Sequence, residues 1–210
     1  MPPTAGDASM TRTAGTVLAV DDDSDMRSLY RCWLAAADEV RTAADGVKAL
    51  QRVDERVDVV LLDREMPRTD GVAVARELDR RDADPAVVMI SGVEADLDLL
   101  DIPVDDYLRK PVSRETVLAR VERAVTAATC RPQHRRLVAL DTRRRIVERA
   151  VPRHRLAEDS NYQRAVDHLE CERSTLADAR ASVPVAGDGA GGEPPVATGG
   201  FDTASREPRQ

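Results

Sequence analysis

Aromatic residues are almost missing from this 210-residue chain, which has one Trp, three Tyr and one Phe. Such scarcity removes the stacking platform on which proteins hold single-stranded nucleic acid. Lysine is as scarce: Lys48 and Lys110 are the only two among 31 basic residues, while Asp outnumbers Glu by 25 to 13. With abundant Ala and Val, this bias resembles that of a high-GC, salt-adapted proteome. The three cysteines, Cys32, Cys130 and Cys171, are odd in number and lack C-x-x-C spacing, so a reduced cytosolic chain is expected. Residues 1–16 contain no apolar core of signal-peptide length, and no later run approaches a membrane span; a cytoplasmic chain without a membrane partner follows. A net charge of −7 does not indicate a generic nucleic-acid-coating surface, although a local basic patch is compatible with it.

What is present is an alternation of period. Val17 to Val20 is a continuous apolar run, as in a strand buried on both faces, and from Ser24 the apolar residues Met26, Leu29, Tyr30, Trp33 and Leu34 recur at helical spacing, with Ser24 near the N-cap. Further strands are expected over 40–44, 57–62, 86–90 and, as an edge strand, 106–109, and further helices over 46–56, 71–81, 94–100 and 113–129. Five strands alternating with five helices predict a doubly wound α/β sandwich.

Polar residues stand just after these apolar runs: Asp21, Asp22 and Asp23, then Asp63, Ser91 and Lys110. A parallel sheet lines up its strand ends along one edge, so these side chains converge on one acidic pocket holding one lysine and one hydroxyl. Clustered carboxylates call for a hard cation such as Mg²⁺, and the set points to phosphoryl chemistry. Asp23 and Ser24 also read as helix caps, and Asp70-Gly71 as a loop entering a helix.

Read together, VLAVDDDSDMRSLY, VDVVLLDREMPRTDG, VVMISG and DDYLRKPVS resemble the receiver domain of two-component response regulators over about residues 15–129. The resemblance implies the sheet order 2-1-3-4-5, which receivers share with flavodoxin-like folds. It implies that Asp63 is the phospho-acceptor, that Asp22 ligates Mg²⁺ directly with Asp21 acting through water, and that the Glu65 backbone carbonyl is a further ligand. Ser91 matches the switch hydroxyl, Lys110 the phosphate-pairing lysine and Tyr107 the aromatic that reports activation, while Lys110-Pro111 is a candidate cis peptide. Catalysis then means holding Mg²⁺, Lys110 and Ser91 around Asp63, with no separate enzymatic activity beyond the chain's own phosphorylation and dephosphorylation. The implied phosphodonor is a sensor histidine kinase, and the implied readout is a switching face formed by the fourth and fifth helices and the fifth strand.

After Thr129 no strand pattern remains. Residues 131–155 carry nine Arg against Asp141 and Glu148, with Leu137, Leu140, Val147 and Val151 as an imperfect apolar stripe that Pro152 bends or ends. Ser160 is expected to cap a further helix with a narrow stripe of Tyr162, Val166, Leu169 and Leu176, suited to docking on another helix. The stretch LVALDTRRRIVERAVPRHRLAEDSNYQ resembles the HalX domain of haloarchaeal regulators, placing a helical module at 130–182 between a receiver at 15–129 and a disordered tail at 183–210, with 1–14 a disordered N-terminus. His134, His154 and His168 are scattered, and His168 with Cys171 supplies too few ligands for a metal site. The leading expectation is a phosphorylation-controlled regulator whose module contacts a partner protein or forms a homodimer. The alternatives are a DNA-binding transcription regulator using the Arg-rich segment, an Arg-rich solvated helix pair with no target, and a Mg²⁺-dependent phosphatase with similar acidic strand ends. No helix-turn-helix or winged-helix pattern follows Thr129, which leaves base-specific DNA recognition unsupported.

Overall fold

The structure is a computed structural model that describes residues 15–67, 69–81 and 84–181, with side chains to residue 175. The expected disordered ends, 1–14 and 183–210, lie outside the described residues. The five apolar runs become parallel strands β1 (Thr16–Val20), β2 (Glu39–Ala43), β3 (Val57–Asp63), β4 (Ala86–Ser91) and β5 (Asp106–Arg109), ordered β2-β1-β3-β4-β5. The long apolar runs become the central strands because a parallel sheet covered on both faces has no wet side; β4 is buried at every residue.

Two hydrophobic clusters line the two faces. One joins Val17, Ala19, Val59, Leu61, Val88 and Ile90 to helix α1 (Ser24–Trp33) and to α4 (Arg114–Ala128) through Tyr30, Val117 and Val121. The other joins Leu18, Val20, Val60, Leu62 and Met89 to α2 (Gly46–Arg52) and α3 (Gly71–Asp79). Asp23, not Ser24, is the N-cap of α1 and accepts from the Asp25 N–H, while Asp70 caps α3 through the Val72 N–H.

The expected fourth helix over 94–100 is reduced to a 3-10 helix at Leu97–Asp101, with Asp96 capping it and Pro103 following within two residues. Helix α2 stops at Arg52, short of the expected residue 56, because Asp54 accepts the Arg56 N–H in a turn.

The C-terminal stretch forms α5 (Pro132–Ala150), α6 (Arg153–Glu158) and α7 (Ser160–Ala181). Pro152 divides α5 from α6, as a residue without an N–H must. The cap of α7 is Asp159, whose carboxylate accepts the Tyr162 N–H at 2.8 Å, so Ser160 is its first helical residue and not its cap. Val147, Val151, Leu156 and Ala165 join the same cluster as Leu99, Ile102 and Tyr107. The stripe expected to remain free for another helix is therefore spent within the chain: Leu169 is buried and Tyr162 packs on this cluster, while the Leu176 side chain lies outside the described residues.

Gly71 anchors α3 beneath the site. A Cβ there would stand 2.3 Å from the Asp63 carbonyl oxygen and 2.9 Å from Arg64 Cα, both backbone atoms that cannot swing aside. Gly71→Ala is expected to destabilise the protein by about 1–3 kcal/mol, as overpacking does, read as a lower urea midpoint; an unchanged midpoint would contradict this close approach.

Candidate functional site

The carboxyl ends of β1, β3, β4 and β5 bring the expected residues together. Asp21, buried, follows β1; Asp63, also buried, ends β3; Ser91, fully buried, ends β4; Lys110 follows β5. Lys110 Nζ donates to Asp63 Oδ2 at 3.0 Å and to Asp21 Oδ2 at 3.3 Å, bridging residues 47 and 89 positions away in sequence. The Glu65 N–H donates to Asp63 Oδ1 at 3.3 Å, and the Asp23 N–H to Asp21 Oδ1 at 2.9 Å. Lys110-Pro111 is cis.

One carboxylate oxygen from each of Asp21, Asp22 and Asp63 lies within 4.8 Å of the others, with Asp22 exposed. This donor set fits a hard divalent cation with several waters, the mode of Mg²⁺. Burial raises the Asp21 pKa, and the Asp63 charge adds to the rise, while the Asp23 N–H and Lys110 oppose it. Burial lowers the Lys110 pKa, but the hydrogen bond to Asp63 and the charge of Asp21 outweigh that and leave it raised. The pocket thus carries more negative charge than one lysine neutralises, which is what a cation would relieve.

Among the described residues no hydrogen bond joins Ser91 to Asp63; the Ser91 Oγ accepts the Val93 N–H at 2.9 Å, an acceptor role that does not use its O–H proton. Tyr107 is buried, and its hydroxyl donates to the Val93 carbonyl at 2.7 Å. The Glu65 carboxylate accepts the Gly92 N–H at 3.2 Å. Sequence reading overlooked Arg64. Its guanidinium donates to Asp98 of the 3-10 helix at 2.6 Å and interacts with the Tyr107 hydroxyl; burial opposes its charge, and these two partners outweigh that and leave its pKa raised. Nothing in its sequence position pointed to this, because the partner lies 34 residues away.

The Arg-rich segment is largely engaged inside the molecule. Arg135 pairs with Asp84 and Asp105, Arg136 with Asp79, Arg144 with Asp141 and Glu148, Arg145 with Asp141 and Arg155 with Asp96. Arg143 donates to the carbonyls of Ile102 and Ala139. Cys32, Cys130 and Cys171 are free and exposed. Among the described residues no helix is long and apolar enough to cross a membrane.

Similarity to known proteins follows the same outline. A protein of Haloferax volcanii named as a candidate transcriptional regulator is 47% identical over 107 residues, 50% of this chain and 18% of its own length. The transcriptional regulatory protein PrrA of Mycobacterium tuberculosis is 41% identical over 115 residues, 52% of this chain and 49% of its own. The chain therefore spans about half the length of PrrA and less of the Haloferax protein. Among solved structures, the Vibrio cholerae chemotaxis protein CheY4 superposes with a TM-score of 0.50 at 28% identity, covering 53% of this chain and 98% of that one. A receiver domain from Methanospirillum hungatei, at 21% identity and a TM-score of 0.51 over 55% of this chain and 96% of that one, shares the fold. The sequence profile of the response regulator receiver domain matches residues 17–122, which hold Asp21, Asp63, Ser91 and Lys110, and the strand order and strand-end pocket agree with it: the chain belongs to the response regulator receiver family.

Proposed function

We propose that this chain is a response regulator of a phosphorelay, accepting a phosphoryl group on Asp63 from a sensor histidine kinase, with Mg²⁺ held by Asp21, Asp22, Asp63 and the Glu65 carbonyl. The observation that carries this reading is the Lys110 ammonium 3.0 Å from a buried Asp63 that shares a three-carboxylate cluster. A bound cation offsets the charge of the carboxylates and of the incoming phosphoryl oxygens. Asp63, oriented by the Glu65 N–H, forms the new O–P bond while the donor's bond to phosphorus breaks in line. Lys110 stabilises the equatorial charge, and the Ser91 O–H donates to a phosphoryl oxygen. Tyr107 then reports the state of the loop after Ser91 through its bond to the Val93 carbonyl.

In this reading residues 15–129 are the receiver and 130–182 a HalX-like output module acting by protein contacts, including a homodimer through either part, in a cytoplasmic protein. The internal pairing of most of the Arg-rich segment supports protein contact over nucleic acid. A second reading has one observation in its favour, that relatives such as PrrA are named as transcriptional regulators; duplex DNA binding with a steep salt slope would support it.

The test is incubation with a small acyl phosphate donor and Mg²⁺. One phosphoryl adduct per chain, labile to hydroxylamine and not formed when Mg²⁺ is chelated beforehand, is expected; its absence overturns the reading. Asp21→Asn should weaken Mg²⁺ binding while stabilising the metal-free protein. A carboxylate whose folded pKa is raised penalises folding once pH exceeds its unfolded pKa, and the penalty is full above the folded pKa. Removing the charge lifts that penalty at pH 7, read as a higher Tm, and the gain should vanish as pH falls below the unfolded carboxylate range. A metal-free variant less stable than the parent at pH 7 would contradict this.

A further inference from the structure

We infer that the Tyr30 hydroxyl is a buried donor reserved for Asp21, and that Tyr30 is thereby a positioning residue which holds this carboxylate charged and aimed at Mg²⁺; the inference rests on the phosphorelay reading above. Its place follows from the sheet. Alternate strand residues share a face, and Val17 and Ala19 of β1, Val59 and Leu61 of β3 and Leu108 of β5 all belong to the cluster on the α1 and α4 side. Continuing that alternation puts Asp21, Asp63 and Lys110 on the same face, as the bonds of Lys110 to both carboxylates require. Tyr30 belongs to this cluster too, on α1, whose N-cap Asp23 stands two residues after Asp21. Helical side chains lean toward the helix N-terminus, so the Tyr30 ring leans toward the strand ends and carries its hydroxyl toward the acidic pocket.

Tyr30 is 1% exposed, yet its hydroxyl has no hydrogen-bond partner among the described residues. Burial raises its pKa, and the charges of Asp21 and then Asp63 raise it further, so the proton stays on the oxygen and the group acts as a donor near neutral pH. A hydroxyl buried among aliphatic side chains without a bond is less favourable than the bare ring of Phe, so packing alone does not account for it. What it faces does. Lys110 holds Asp21 at 3.3 Å against 3.0 Å for Asp63, so Asp21 is the more loosely held of the two. Lys110 is repelled by a cation in the cluster, which loosens that hold further. Each carboxylate oxygen accepts more than one bond, and the Tyr30 O–H, donating directly or through one water, keeps Asp21 charged and oriented without adding a cation that would compete with Mg²⁺.

The experiment compares Tyr30→Phe with the parent, as full chains, in metal-free urea melts and in calorimetric Mg²⁺ titrations. The substitution keeps the ring and removes one oxygen. A metal-free urea midpoint equal to or above the parent's is expected, together with a Mg²⁺ affinity lower by about 10-fold, as the loss of a hydrogen bond to a charged group implies. An unchanged Mg²⁺ affinity overturns the inference while leaving the phosphorelay reading intact, whereas a parent that binds no Mg²⁺ overturns both. A lower metal-free midpoint shows that the hydroxyl is already bonded before the cation arrives, which also overturns it. In an Asp21→Asn background the same substitution should change Mg²⁺ affinity by about 2-fold or less, since the two act as one unit; a full loss there removes Asp21 from the route. The Raman doublet that reports tyrosine hydrogen bonding should shift on Mg²⁺ addition in the parent and not in Tyr30→Phe. An identical shift in both assigns it to another tyrosine and overturns the role of Tyr30.

Discussion

Asp63→Asn is expected to abolish labelling by any phosphodonor while leaving the fold intact. Asp63 is buried at the end of β3, and the two groups that position it, Lys110 Nζ and the Glu65 N–H, converge on no other candidate acceptor in the pocket. Asp21 also meets Lys110, at 3.3 Å against 3.0 Å for Asp63, and Asp22 is exposed. Asn keeps the size and one acceptor oxygen of Asp but is not nucleophilic at the pH where carboxylate is. It also removes a negative charge beside Asp21, so folding should not suffer. The measurement is intact-mass labelling alongside a urea titration. Labelling of Asp63→Asn to the wild-type extent would sink the assignment, and a collapse of its folded baseline would show that Asp63 also carries structure.

The largest loss of stability is expected from Arg135→Met, a change that keeps much of the side-chain length and removes the charge. Arg135 is buried, bonded to Asp84, to Asp105 and to the Pro85 carbonyl, and it fastens α5 to the bottom of the sheet. Breaking a buried pair from one side leaves the other charge stranded, which costs roughly 3–5 kcal/mol. The stranded partner is Asp105: burial already raises its pKa, with the Arg135 charge as the main opposing influence. Without Arg135 its folded pKa rises further above the unfolded value. The penalty is therefore absent below about pH 4, where both states are protonated, grows as pH climbs through that interval, and is full above it. Urea melts of parent and variant should converge at low pH and separate toward neutrality. A deficit independent of pH would place the loss in packing instead.

Much of the receiver half was legible without coordinates because its signals are local. Val17 to Val20, Val57 to Leu62 and Ala86 to Ile90 are apolar without interruption, which marks strands covered on both faces, and the polar residue ending each run falls on the sheet edge by topology alone. The convergence of Asp21, Asp63 and Lys110 follows from that ordering. Capping was less legible: Asp23 with Ser24, and Asp159 with Ser160, are adjacent capping residues, and which one caps depends on a backbone angle that composition does not encode.

The sequence by itself determined the strands, their order through the family resemblance, and the residues of the acidic pocket, because each depends on burial periodicity or on a short motif. Only the tertiary structure decided what the second half does with its charge and its apolar stripes. Nine arginines in 25 residues read as a basic patch when partners are unknown, yet Asp79, Asp84, Asp96 and Asp105, all outside that segment, take up Arg136, Arg135 and Arg155. Likewise Tyr162 and Leu169 read as part of a docking face until Leu99, Ile102 and Tyr107 are found beneath the same helices. The physical reason is that periodicity tells which face of an element must be buried, whereas the choice between covering it with a partner or with the chain's own surface depends on contacts more than 40 residues apart, such as Arg143 with Ile102.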